Sequence, residues 1–119
     1  MIAWLKRLLT PEHELQARSI LQESLKSGAR RIADCQSGER ALVSGVLDSV
    51  IMRPRKATRA VEAELFDGSG YLRIVWLGRR SIAGVEAGRP VSVSGRIVTG
   101  EDGHLTMFNP RYELAPRSL

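Results

Sequence analysis

The sequence predicts an all-β fold, a small barrel of five strands with an N-terminal α-helical extension. Three observations predict it. Val61 to Trp76 alternates apolar and polar residues in two runs joined by Asp67-Gly68-Ser69-Gly70, the pattern of a half-buried antiparallel hairpin. Val43-Ser44-Gly45-Val46 and Val93-Ser94-Gly95-Arg96 each set a glycine inside a strand-like run, as strands that bend sharply at a barrel corner do. Glycine-rich turns such as Thr99-Gly100-Glu101-Asp102-Gly103 separate the runs.

The hairpin is the centre of the pattern. Val61, Ala63 and Leu65 share one face of its first strand, and Leu72, Ile74 and Trp76 one face of its second. Successive side chains in a strand point to opposite faces. Glu62, Glu64, Phe66, Tyr71, Arg73 and Val75 are therefore expected outside. Two glycines in the turn supply positive φ without a Cβ clash.

The remaining elements follow in order. Residues 1–30 read as helical. Thr10-Pro11-Glu12 has the form of an N-cap, a first-turn proline and a first-turn acid. Glu12 to Lys26 carries Ala17, Ile20, Leu21 and Leu25 on one side, and Gly28 is a C-terminal stop. A shorter amphipathic piece with Trp4, Leu5, Leu8 and Leu9 precedes it. These helices suit packing on the barrel or on a second copy of the chain. Peripheral membrane binding is the alternative, disfavoured because the piece is short. Residues 29–40 read as a polar linker, and strand one runs from Ala41 to Met52.

Arg53-Pro54-Arg55-Lys56-Ala57-Thr58-Arg59 holds four cations and no acid. Pro54 disfavours a central strand, so this reads as a loop between strands one and two. It is either a solvated turn or a cationic arm for phosphates. After the hairpin, Leu77 to Gly88 is a connection with one expected helical turn at Arg80 to Val85. Strand four spans Val91 to Val98. Strand five spans His104 to Phe108 and continues past Asn109-Pro110 to Leu114. The expected organisation is a helical extension and linker over 1–37, a barrel domain over 38–114 and a fraying tail over 115–119.

The 119 residues suit one domain with an extension. A net charge of +5 and a pI of about 10.1 favour anionic partners. The single cysteine, Cys35, has no internal disulfide partner, which fits a reducing, cytoplasmic compartment. Lys6 and Arg7 interrupt the N-terminal apolar run, so it does not read as a secretory signal. No apolar run approaches the roughly 20 residues that span a bilayer. His13 and His104 sit in different elements, and no cluster has zinc-ligand spacing. Neither a metal, a cofactor nor enzyme chemistry is expected.

Gly38-Glu39-Arg40, the Val-Ser-Gly-Val corner, Leu65 to Leu72 at the hairpin, Gly88 to Gly95 and the closing Leu105-Thr106-Met107-Phe108-Asn109-Pro110-Arg111-Tyr112-Glu113-Leu114 resemble the OB-fold. More narrowly they resemble nucleic-acid-binding OB domains of the tRNA-anticodon type, and the wedge domain of RecG-type branch-migration helicases. The resemblance covers residues 38–114. It suggests a standalone OB protein of a kind familiar from actinobacteria. The sequence has no Gly-x-x-x-x-Gly-Lys-Ser/Thr phosphate loop, so helicase activity is not implied.

The resemblance implies single-stranded or junction nucleic acid lying across strands two and three, between the one–two and four–five loops. On this chain that selects Arg53, Arg55, Lys56 and Arg59 in the first loop, Tyr71 and Arg73 on strand three, and Phe108 on strand five. Glu62 and Glu64 on the same face, and Glu101 and Asp102 in the second loop, oppose phosphate. A cross-strand pair of Glu64 with Arg73 is the plain alternative role. An adaptor that docks another protein, through the sheet or the N-terminal helices, is the second functional reading.

Overall fold

The computed structural model describes residues 28–55 and 58–114. The expected N-terminal helices, Lys56 and the tail lie outside the described residues. Seven strands form one sheet: β1 (Arg40–Arg55), β2 (Thr58–Phe66), β3 (Tyr71–Leu77), β4 (Pro90–Arg96), β5 (Val98–Thr99), β6 (Leu105–Phe108) and β7 (Arg111–Leu114). Their order is β5-β6-β3-β2-β1-β4-β7. Every pairing is antiparallel except β3 with β6.

The strand count corrects the expected five, and both extra breaks have a physical cause. Ile97 leaves the fourth expected strand. Its N–H donates to the Glu39 carbonyl and its carbonyl accepts from the Gly38 N–H, so its backbone bonds go to the entry of β1. The fifth expected strand breaks at Asn109-Pro110. Asn109 adopts φ 50, a left-handed conformation that asparagine tolerates better than most residues. Its N–H donates to the Val75 carbonyl at 2.7 Å, and its Oδ1 accepts the Leu77 N–H at 2.9 Å. Both halves of this corner are thus tied to the end of β3.

That corner also dictates the curl. β6 lies near one end of the strand order and β7 at the other, yet two residues join them. A flat sheet cannot be spanned by so short a link, since neighbouring strands lie about 4.8 Å apart. The sheet therefore curls into a half-barrel, where a closed cylinder was expected. No ladder joins β6 to β7 among the described residues. β1 makes the opposite bend. It pairs with β4 from Arg40 to Val46 and with β2 from Val46 to Arg55, with a register shift between Leu47 and Ser49. A Cβ on Gly45 would run into the Phe66 carbonyl, and one on Gly95 would press Met107 Cγ at 3.1 Å. Both corner glycines stand where another segment leaves no room.

The concave side is the core. Val61, Ala63, Leu65, Leu72, Ile74 and Trp76 all line it, joined by Val43, Leu47, Val91, Val93, Ile97 and Met107. Trp76 meets Tyr112 of β7 edge-on, with ring centroids 5.6 Å apart. The connection after β3 contains turns but no helix, correcting the helical turn expected at Arg80 to Val85. Gly84 has φ +76, and a Cβ there would strike the Leu114 side chain.

The stretch read as a polar linker is also partly buried. Ala29, Ile32 and Cys35 are buried, and Ile32–Asp34 form a single 3-10 turn. Asp67 holds it in place. This carboxylate is fully buried. Its Oδ2 accepts the Ile32 N–H at 2.8 Å, and its Oδ1 accepts from Ser69 N, Ser69 Oγ and Gly70 N at 2.8, 2.7 and 3.1 Å. Replacing Asp67 with alanine strands buried N–H groups, each worth about 1–3 kcal/mol. Asp67→Ala is expected to lower unfolding stability by about 3 kcal/mol in urea denaturation. A loss below about 1 kcal/mol would show that water substitutes for the carboxylate.

Candidate nucleic-acid interface

The convex face of β1, β2, β3 and β6 is organised by register into rows. Ser49, Glu64, Arg73 and Thr106 form one row, and Ile51, Glu62, Val75 and Phe108 the next. Arg53, Ala60 and Leu77 form a third. Phe66 and Tyr71 lie beyond the first row, with ring centroids 4.9 Å apart and planes tilted by 32°.

The basic segment is a strand extension, which corrects the expected loop. β1 continues to Arg55 and β2 begins at Thr58, with Arg53 opposite Ala60, Pro54 opposite Arg59 and Arg55 opposite Thr58. Pro54 is tolerated because, among the described residues, β1 beyond Val46 has β2 as its sole strand partner. Its missing donor interrupts no second ladder. The Gly78 N–H donates to the Arg59 carbonyl at 2.6 Å and steadies the base of this arm. Arg53 and Arg59 are exposed, and neither has a carboxylate partner among the described residues. Both keep their forked donors available to a phosphate.

Arg73 is in a different state. Its side chain is only 18 % exposed. Nη1 donates to Asp102 Oδ2 at 2.8 Å, and Nε lies 3.8 Å from Glu64 Oε1. His104 Nδ1 lies 3.0 Å from the same Asp102 oxygen and 3.4 Å from Arg73 Nη2. Hydrogen bonds from Arg73 first, then His104, hold the Asp102 carboxyl well below the usual carboxylate range. Burial pushes the Glu64 carboxyl up, and the attraction of Arg73 only partly opposes it.

Of the seven predicted residues Lys56 lies outside the described ones, and the others do not form one patch. Arg53 and Arg59 lie on the arm, with Arg55 opposite Thr58 in the same hairpin, and Phe108 is 39 % exposed. Phe108 occupies the row beside Arg53. Tyr71 is half-buried at the far end of β3, six residues from the Leu77 row. That is about 20 Å at 3.3 Å per residue. Glu62, Ala60 and Val75 are buried on the face that was expected to be exposed. Sequence reasoning missed the hold of Asp102 and His104 on Arg73. It follows from the parallel β3–β6 pairing, which brings the turn before β6 against β3, and no local pattern announces it.

Cys35 is not placed as a nucleophile. Its Sγ donates to the Arg31 carbonyl at 3.4 Å, and burial pushes the thiol pKa up. No group of three or more metal-ligating side chains occurs among the described residues. No helix among them is long and apolar enough to cross a membrane.

Because burial outweighs attraction at Glu64, its charged form opposes folding. A carboxyl whose pKa rises on folding adds stability below its unfolded value of 4.5, and that stability is lost as pH rises through the folded value. Glu64→Gln is therefore expected to raise the unfolding midpoint by about 2 °C at pH 7. The advantage should vanish below pH 4.5, where glutamate itself is neutral. A lower midpoint at pH 7 would mean that the Arg73 contact dominates.

No family model matches the sequence, and no curated protein does. Among solved structures, RecG bound to a three-way DNA junction matches with a TM-score of 0.54 and 21 % sequence identity. The match covers 71 % of this chain and 12 % of that one, so this chain corresponds to a small part of its neighbour. At that identity the likeness is one of fold, and the curled half-barrel described above is OB-like.

Proposed function

We propose that this chain is a non-enzymatic, cytoplasmic OB module that binds single-stranded or junction nucleic acid weakly and with little sequence preference. The observation that carries the reading is the two-stranded arm, which presents Arg53 and Arg59 to solvent without carboxylate partners among the described residues. Phosphate contacts position a nucleic acid and carry no sequence information. Phe108, one row from Arg53 and partly exposed, offers a stacking surface, and base stacking adds about 1–3 kcal/mol per base. The positive net charge of +5 favours a polyanion at long range. The closing Met107-Phe108-Asn109-Pro110-Arg111-Tyr112-Glu113 supports a wedge-type OB domain, as does the fold likeness to a RecG structure that contains a DNA junction.

A second reading has its own support. Ile51, Leu77 and Phe108 are 44, 39 and 39 % exposed on the same convex face, which also carries the half-buried Glu64. Exposed apolar side chains with a carboxylate nearby suit a protein surface with basic margins. That is the adaptor role.

Affinity for a labelled single-stranded oligonucleotide across a salt series separates the two. Binding is expected to weaken steeply with salt. Arg53→Ala/Arg59→Ala is expected to cost about tenfold or more at low salt. It should also flatten the log–log salt slope by about 0.7 for each phosphate that is no longer neutralised. Unchanged affinity in this variant, or no binding by the wild type at low salt, would favour the adaptor.

A further inference from the structure

The turn between β5 and β6 presses a carboxylate onto the one cation of β3. Asp102 Oδ2 accepts from Arg73 Nη1 at 2.8 Å and lies 3.0 Å from His104 Nδ1. Asp102 Oδ1 accepts the His104 backbone N–H at 3.3 Å. A guanidinium, an imidazole and a main-chain amide thus converge on one small oxyanion. These donor types also bind phosphate oxygens. The turn is shaped for this contact. The Gly100 N–H donates to the His104 carbonyl at 2.8 Å, and the Gly103 N–H to the Gly100 carbonyl at 2.9 Å. Thr106 Oγ1 donates to the same His104 carbonyl at 3.0 Å from a buried position. Asp102 itself is 47 % exposed, so an incoming ligand can reach it.

We propose that Asp102 is a built-in stand-in for a phosphodiester. The Arg73–His104 pair is an anion site on the sheet face, and the chain's own carboxylate fills it until a nucleic-acid phosphate displaces it. This rests on the nucleic-acid reading above and adds a second, self-occluded contact to the arm. Glu64, 3.8 Å from Arg73, is a weaker competitor from the neighbouring strand. Arg73 therefore meets ligand only after the turn lets go. The device raises the threshold for binding at the sheet while leaving the arm open to first contact.

The test uses the full chain and a fluorescein-labelled oligothymidylate at low salt. Asp102→Asn removes the competing charge and keeps the side-chain shape. It is expected to tighten binding by about fivefold, the scale of an exposed ion pair. It should also steepen the log–log salt slope by about 0.7, as one more phosphate is engaged. Glu101→Gln makes the same change of net charge next door, on an exposed side chain, and should do much less. Adding Arg73→Gln to Asp102→Asn should erase the gain. Equal gains from Glu101→Gln and Asp102→Asn would overturn the inference, because bulk charge would then explain both. So would no gain from Asp102→Asn, whether or not the wild type binds. The arm variant is read separately: if arm variant and wild type bind alike while Asp102→Asn gains, the proposed function needs revision and this site stands.

Discussion

The fold depends on a buried carboxylate that is fully satisfied. Asp67 sits at the turn of the β2–β3 hairpin with four donors around it, one of them contributed by Ile32 from before the first strand. A buried charge is costly unless its hydrogen bonds are complete. Here they are complete only when the turn is formed and the Ile32 segment is docked. The same residue therefore shapes a local turn and closes a contact across thirty-five positions of chain. Ile32 then plugs the hairpin end of the core, and its methyl group lies close enough to Gly70 that a Cβ there would crowd it at 3.3 Å. The hairpin and the segment before β1 become one unit.

From that unit the convex face follows. The hairpin sets the register of β2 and β3, the Asn109 corner ties β6 alongside β3, and the rows of outward residues are then fixed. Two environments result on one face. At the arm end the sheet has run past its core, and Arg53 stands in solvent. Nearer the middle, Val75 and Glu62 are buried and Arg73 is enclosed by carboxylates. A ligand that needs cations meets the arm before it meets the sheet.

The hairpin was legible because alternation of apolar residues is a local signal. All six of its expected inward residues line the core. Gly45 and Gly95 were legible as corners because a glycine inside a strand run is unusual without a steric reason. Other features were hidden for equally physical reasons. A proline among cations reads as a loop unless the strand's other edge is known to be unpaired. The polar surroundings of Ile32 concealed its burial, which depends on an aspartate far along the chain. The two added strand breaks arise from backbone bonds at Ile97 and Asn109, whose partners are distant in sequence. Arg73 looked available because its captor lies twenty-nine residues away, across a parallel pairing.

The arm carries one more consequence. A two-stranded ribbon reaching past the core offers unpaired backbone along its β1 border, a template on which copies of a protein can stack into fibres. Pro54 interrupts one border by lacking an N–H, and Arg53 and Arg59 charge the ribbon. Two such ribbons repel one another. The charges that mark the ribbon also keep neighbouring molecules apart, so colloidal dispersal rests on the same few side chains.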